Sequence, residues 1–226
     1  MKPTGRGPMV IGGHDREVSC RMLGPGDREQ VVDLVSAAYL ELPVYRWLFG
    51  DALSYESARW LADIRCGVLE SGDAFGAFDA SGVLVGVVLL RVPGRSPAPA
   101  SEEQVAYTKA FVTAHPDFAQ RYAAMRDADA AVWSNPEAID VSLAIVSPNT
   151  RNTGVLSALV LEVGDLAEAR GESVVLRTND PALADMYRRK WSLADRGAHA
   201  HVAGLTVWTF EVVAADIPAI KAGLRA

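Results

Sequence analysis

The chain alternates between two regular patterns of apolar and polar positions. Short apolar runs bounded by glycine, proline or aspartate predict strands, and apolar residues that recur every three or four positions predict helices. The predicted strands span 18–23, 74–78, 83–91, 140–146, 174–177, about 193–202 and 206–213. The predicted helices begin near positions 27, 54, 101, 116, 154, 182 and 216. Strands and helices interleave along the whole chain, which predicts an α/β fold.

Turn and capping signals set the limits of the early elements. Asp27 and Gln30 predict a capping box for the first helix, which should break near Pro43. The four residues Asp79–Gly82 predict a hairpin turn between two strands. Residues 1–16 are rich in glycine and proline and are predicted to be a mobile tail, ahead of a single domain over 17–226.

Residues 101–134 form two predicted helices, separated at His115-Pro116 because proline disfavours helix in the residue before it. This segment precedes the strand that ends at Val146. Two roles are open for it: it walls a substrate site, or it covers the sheet.

Composition and charge exclude several classes of function. The chain has 226 residues, half of them hydrophobic, a net charge of -6 and a pI near 5.2, which argues against a nucleic-acid binder and suits a cationic substrate. Cys20 and Cys66 lie far apart, and the histidines show no metal spacing, so neither a disulfide framework nor a metal site is predicted. With no signal peptide and no apolar run long enough for a bilayer, we expect a cytoplasmic protein without membrane or nucleic-acid partners.

The stretch from Asp140 to Ser157 predicts a strand, a tight loop and a helix. An apolar run through Val146 stops at Pro148, and Gly154 opens the helix. The free N–H groups at a helix N-terminus and the helix dipole attract phosphate. Neither G-x-G-x-x-G nor the P-loop motif is present, so an ordinary strand-to-helix turn is the alternative.

This loop and the segment after it resemble the GNAT N-acetyltransferase superfamily. Residues Arg151-Asn152-Thr153-Gly154 resemble its acetyl-CoA loop, R/Q-x-x-G-x-G/A. The strand 174–177, Asn179 and a helix with Tyr187 follow in the order of the family's second motif. Two features depart from it: Leu156 stands where the motif prefers glycine or alanine, and Lys190-Trp191-Ser192 replaces the usual Leu-Gly-Phe.

The resemblance implies the fold and the cofactor. It implies a mixed, mostly antiparallel central sheet flanked by helices, with central strands that splay where the cofactor enters and a helical insertion before the cofactor-binding strand. It implies acetyl-CoA as co-substrate and no metal. The cofactor-binding residues would be Val146, Arg151, Asn152, Thr153, Gly154, Val155, Leu156, Ser157 and Asn179.

Acetyl transfer to an amine needs a proton acceptor for the amine and a proton donor for the thiolate. Asp140 lies where histone-type relatives carry their glutamate base, and strand alternation would put it on one face with Ser142 and Ala144. A solvated strand end is the alternative for Asp140. By the same resemblance Tyr187 protonates the thiolate, the alternative being a tyrosine packed in the core. Backbone N–H groups near Val146 would hold the thioester oxygen.

The acceptor pocket would be bordered by the region between the first two predicted helices. Glu41 and Tyr45 from this region, together with Ser142, are the candidate substrate-binding residues, with aromatic packing and a solvated glutamate as the alternative. We therefore expect an acetyl-CoA-dependent N-acetyltransferase of a small-molecule amine that works by direct transfer in a ternary complex. A protein or peptide acetyltransferase and a non-catalytic CoA-binding module are the alternatives, and a homodimer is left open.

Overall fold

A computed structural model of the chain describes residues 18–225, and the predicted mobile tail, residues 1–16, lies outside them. The described part contains a seven-stranded sheet with the order β1-β2-β3-β4-β5-β7-β6. Every neighbouring pair is antiparallel except β4 and β5. The strands are β1 (Ser19–Met22), β2 (Ala74–Phe78), β3 (Leu84–Arg91), β4 (Ile139–Val146), β5 (Val174–Thr178), β6 (Ala194–Ala200) and β7 (Thr206–Val212). The predicted mixed, mostly antiparallel sheet is confirmed.

Helices flank the sheet on both faces. One apolar cluster joins the first five helices to one face, and a second joins α6 and α8 to the other. A third cluster holds α7 against β7. The helices are α1 (Arg28–Glu41), α2 (Pro43–Phe49), α3 (Tyr55–Arg65), α4 (Glu102–Ala114), α5 (Pro116–Ala131), α6 (Val155–Arg170), α7 (Pro181–Arg189) and α8 (Ile217–Arg225).

The helix starts predicted near positions 27, 54 and 101 are confirmed, but the capping interaction predicted for the first is wrong. Ser54 and Ser101 cap α3 and α4, each accepting a hydrogen bond from the backbone three residues on. The capping box predicted at Asp27 is wrong. Its carboxylate accepts instead from the Gly24 N–H at 3.0 Å and from Arg21, so it closes the preceding turn.

Helix α2 was not predicted. Pro43 ends α1, as expected, but it also occupies the first turn of α2, where its fixed φ suits a helix and its missing N–H costs nothing. Tyr45 of α2 stacks on Tyr39 of α1, with ring centroids 3.8 Å apart. The packing of aromatic side chains thus stabilises a helix too short to show a clear periodicity.

The insertion, α4 and α5, extends the aromatic core on the same face. Phe111 of α4 lies 4.8 Å from Trp60 of α3, and Phe118 of α5 lies 5.1 Å from Phe49 of α2, measured between ring centroids. The insertion therefore covers the helices above the sheet.

Strand β4 contains a bulge at Ser142. Leu89 pairs with Leu143 and Leu90 with Val141, so Ser142 is the extra residue. As a result Val141 packs toward α6, whereas Leu143 packs with the cluster on the opposite face. The prediction that Asp140, Ser142 and Ala144 share a face is wrong, because the bulge interrupts the alternation.

Strands β4 and β5 separate beyond the bulge. Only Ile139–Val141 of β4 pair with Val174–Leu176 of β5, although β4 continues to Val146 and β5 to Thr178. The predicted splay between the central strands is therefore present, and it opens toward the loop before α6.

Candidate active site

The loop between β4 and α6 has a backbone that favours glycine. Asn152 and Gly154 both have left-handed φ angles, of 64° and 90°. A Cβ at Gly154 would have no atom within 4 Å, so the conformation rather than the space requires glycine. This conformation turns the chain into α6 directly at the end of the splay.

The first turn of α6 is uncapped. Gly154 is its N-cap and no side chain of the described residues accepts a hydrogen bond there; α1, α2 and α5 share this feature, whereas Ser54, Ser101 and Asp180 cap α3, α4 and α7. The N–H groups of this turn and the positive end of a 16-residue helix therefore point at the loop, with no side-chain partner among residues 18–225. Such an arrangement suits phosphate groups.

Arg151 adds a cation beside this turn. Its Nη2 lies 3.5 Å from Oε2 of Glu41, the last residue of α1, and its Nε lies 3.5 Å from the Val146 carbonyl oxygen. Both charged side chains are about half exposed. The loop and the end of α1, predicted separately as cofactor and substrate regions, are thus in direct contact.

The other predicted cofactor residues of the loop and the first turn of α6 differ in which of their groups are exposed and which are used in packing. Val155 is 1 % exposed and packs under the sheet, so only its backbone faces the loop. Thr153 donates its hydroxyl to the Thr150 carbonyl at 2.6 Å, which stabilises the loop itself. Leu156 packs against the cluster that contains Tyr187, and Ser157 is half-buried in the same first turn. Leu156, where the motif prefers a smaller residue, thus links α6 to α7.

The free edge of β4 presents backbone groups to the splay. The Ser147 N–H donates to the Val85 carbonyl on β3 at 2.9 Å. Successive backbone N–H groups in a strand point in opposite directions, so the Val146 N–H points away from β3. It faces the gap that β5 leaves open.

Asn179 follows β5 at the other side of the gap. Its side chain makes no hydrogen bond within residues 18–225, whereas its neighbour Asp180 caps α7 by accepting from the Ala182 and Leu183 N–H groups at 2.8 and 3.3 Å. The cap at Asp180 was not predicted. It fixes the start of α7 and leaves the Asn179 amide free for a ligand.

Tyr187 is buried in α7 at 6 % exposure. Its ring packs against Trp191 and Phe210, with centroid distances of 5.2 and 5.4 Å. Burial, and to a lesser degree the charge of Asp180, raises the pKa of the phenol to about 12. The phenol therefore keeps its proton at neutral pH, which a proton donor requires, although the packing also fits the alternative of a core tyrosine.

Asp140 lies between two arginines. Its Oδ1 accepts from Arg177 Nη1 at 2.8 Å, and its Oδ2 pairs with Arg91. The carboxylate is 15 % exposed, so it is neither a solvated strand end nor a free base. An incoming ammonium group must compete with Arg91, which is 64 % exposed, for the second oxygen.

Arg177 was missed as a site residue. The sequence signal was its position directly after the apolar run Val174–Leu176, in the same predicted strand, where a charge needs a partner. Its partner is the aspartate predicted as the base.

The three predicted substrate residues have different partners. Tyr45 is buried in its stack with Tyr39, Ser142 donates to the Leu89 carbonyl at 3.0 Å, and Glu41 contacts Arg151. Their role toward a substrate stays a prediction.

On the face of the sheet that carries Leu143, the connection between β6 and β7 contacts the helical insertion. His201 Nε2 lies 3.1 Å from Asp129 of α5, and Val202 packs against the cluster formed by α1 to α5. The insertion thereby touches the tip of the β6–β7 hairpin and forms a wall on this side.

Comparison with solved structures places this fold among acetyltransferases. A Corynebacterium glutamicum protein described as histone acetyltransferase HPA2 and related acetyltransferase is 19 % identical, with a TM-score of 0.60 over 86 % of this chain and 94 % of its own. Aedes aegypti arylalkylamine N-acetyltransferase 2 is 11 % identical, with a TM-score of 0.62 over 87 % of this chain and 99 % of its own. Drosophila melanogaster polyamine N-acetyltransferase is 17 % identical, with a TM-score of 0.55 over 87 % and 99 %. The chain has the GNAT acetyltransferase fold.

No family model and no curated protein sequence matches the chain. No helix within residues 18–225 is both long and apolar enough to cross a membrane. Over the same residues, no group of three or more His, Cys, Asp or Glu side chains is arranged to hold a metal ion.

Proposed function

We propose that this protein is an acetyl-CoA-dependent N-acetyltransferase that acts on a small-molecule amine. The observation that carries the proposal is the uncapped N-terminus of α6 at the open end of the β4–β5 splay. Free N–H groups, a left-handed Gly154 and the adjacent Arg151 suit a pyrophosphate. The splay gives the rest of the cofactor a path between the strands, past the free amide of Asn179.

The residues around the splay support direct transfer in a ternary complex. The Val146 N–H would donate to the thioester oxygen as it gains negative charge. Tyr187 would give its proton to the departing thiolate, and Asp140 would accept the proton of the amine once the ammonium group displaces Arg91 from Oδ2. In this scheme no covalent intermediate on the enzyme is needed.

A small acceptor is favoured over a peptide because the acceptor face is walled. The His201–Asp129 contact and the packing of Val202 join the β6–β7 hairpin to the helical insertion. A peptide needs an open groove along the sheet, and such a contact between hairpin and insertion would narrow it. The comparison proteins described as arylalkylamine and polyamine N-acetyltransferases point to the same class of acceptor. The cytoplasmic location, the single domain and the homodimer stay predictions.

Release of free thiol from acetyl-CoA in the presence of a panel of amines tests this proposal. Mass spectrometry of the amines should show the gain of one acetyl group. If CoA binds but no amine in the panel is acetylated, the chain is a CoA-binding module instead.

A further inference from the structure

A cavity of about 300 Å³ lies at the end of β3, beside the paired part of β4 and β5. Asp140 and Val175, which pair with each other just before the strands separate, line it together with Arg177, the first residue of β5 after the pairing ends. Its other walls are the segments after β3 and before β4. Its volume lies at the lower end of the range of small-molecule sites.

The lining of this cavity is rich in guanidinium groups. Arg91, Arg95 and Arg177 line it, against one carboxylate, that of Asp140. Asp73, buried behind Arg95, pairs with it at 2.6 Å. Even when both carboxylates are counted, one positive charge is uncompensated, in a protein whose net charge is -6.

Within residues 18–225 one buried donor of this cluster, Arg177 Nε, has no partner, whereas Arg91 and Arg95 are 64 % and 42 % exposed and reach solvent. Arg177 donates from Nη1 to Asp140 and from Nη2 to the Trp133 carbonyl at 3.4 Å, while its buried Nε makes no hydrogen bond. Each guanidinium carries five N–H donors. Buried donors without acceptors are uncommon and destabilising, so the cavity suits a ligand that supplies oxygen acceptors.

Asp140 orients this cluster. Because it accepts from Arg177 and Arg91 together, it holds their guanidinium groups on two strands at one side of the cavity. A planar carboxylate matches the geometry of such forked donors, whereas an ammonium group would meet charges of its own sign.

We propose that the acceptor is an amine that also carries a carboxylate, and that Arg177 and Arg91 bind this carboxylate in the cavity beside the splay. This inference rests on the proposed function, because it places the amine of the same molecule toward the thioester. It differs from the expectation, drawn from net charge, of a cationic substrate. Arg177 is then a residue that determines specificity.

Matched pairs of amines that differ only by the carboxylate test the inference. Arginine is compared with agmatine, and tyrosine with tyramine, by calorimetry on the protein saturated with CoA. In at least one pair the carboxylate-bearing member should bind about tenfold more tightly or better, as expected for a charge-assisted pair. Arg177→Gln should abolish this preference.

Arg91→Gln and Arg21→Gln form a matched second comparison. Both arginines are mostly exposed and each pairs with one aspartate, but Arg21 lies on β1 at the sheet edge, paired with Asp27. Arg91→Gln should reduce the preference several-fold and Arg21→Gln should leave it unchanged. These variants keep the test valid if Arg177→Gln does not fold.

Equal or tighter binding of agmatine and tyramine, binding of neither member of any pair, or an unchanged preference in the Arg177 and Arg91 variants would overturn the inference. Binding is measured separately from transfer. A carboxylate preference without acetylation would therefore contradict only the proposed function, and acetylation without that preference would contradict only this inference.

Discussion

Glu41 at the end of α1 and Arg151 in the loop before α6 form an ion pair, with 3.5 Å between Oε2 and Nη2. The glutamate thus holds the cation that we expect to meet a phosphate of CoA. A carboxylate from the acceptor side and a phosphate of the cofactor would compete for one guanidinium.

This competition gives the first prediction. Arg151→Ala should weaken CoA binding by about 1–3 kcal/mol, the range for a charge-assisted hydrogen bond. Glu41→Gln should instead strengthen it by up to about 1 kcal/mol, because an exposed ion pair is worth no more than that. Calorimetry with CoA measures both. Glu29→Gln, which removes an exposed partner of Arg59 from the same helix, is the control and should change nothing.

Two glycines at opposite ends of α6 give the second prediction. Gly154 and Gly171 both have left-handed φ angles and open space where a Cβ would lie. Valine at either position should lower the free energy of unfolding by about 1–3 kcal/mol through backbone strain. Only Gly154→Val should also weaken CoA binding, by about tenfold or more. Equal CoA affinity in the two variants would show that CoA does not bind at this loop.

Tyr187 gives the third prediction. Tyr187→Phe keeps the packing against Trp191 and removes the hydroxyl, so turnover should fall about 10²–10⁴-fold with acetyl-CoA affinity little changed. Tyr55→Phe, which removes a surface hydroxyl bonded to Asp33, is the control. Steady-state kinetics measures both variants. If Tyr187→Phe turns over as fast as the wild type, another group supplies the proton.

The raised pKa of the same phenol predicts a change in stability with pH. Burial raises the pKa of Tyr187 from its ordinary value of 10.0 to about 12, so folding favours the protonated form. Its contribution is complete below about pH 10 and is lost as the pH rises toward 12. Between about pH 9 and pH 11, the wild type should lose about 1 kcal/mol more than Tyr187→Phe in urea unfolding. Parallel curves for the two proteins would contradict the burial of this hydroxyl.

Asp140 gives the fifth prediction, which separates two roles. Asp140→Asn removes the charge between Arg91 and Arg177, so the free energy of unfolding should fall by about 1–3 kcal/mol. Asp195→Asn, at an exposed pair with Arg188, should cost at most about 1 kcal/mol. As a proton acceptor, Asp140 should also matter most at low pH, where the amine is protonated. If Asp140→Asn loses stability but keeps the pH–rate profile of the wild type, Asp140 is not the proton acceptor and serves only to orient the two arginines.

The sequence was sufficient for the sheet and for the turn before α6 because their signals are local. The apolar runs predicted all seven strands, and Gly154 marked the turn into α6. The bulge at Ser142 was not predictable, since it depends on the register between β3 and β4. For the same reason the shared face expected for Asp140 and Ala144 was wrong.

The acceptor side was harder to predict because its contacts join distant segments. Helix α2 is stabilised by stacking between Tyr39 and Tyr45, which periodicity does not reveal. The pairing of Asp140 with Arg91 and Arg177 brings together three strands. Net charge pointed to a cationic substrate, whereas the local cluster around the splay is positive.

Binding of acetyl-CoA at α6 and transfer of its acetyl group to an amine together define the proposed function. One assay examines both at once by following free thiol and acetylated product, with acetyl-CoA and the amine panel, in the wild type and in Gly154→Val. We predict thiol release that depends on an amine, one acetyl group gained per thiol released, and a strong loss of both in the variant. No amine-dependent thiol release in a wild-type protein that binds CoA would contradict the proposed function.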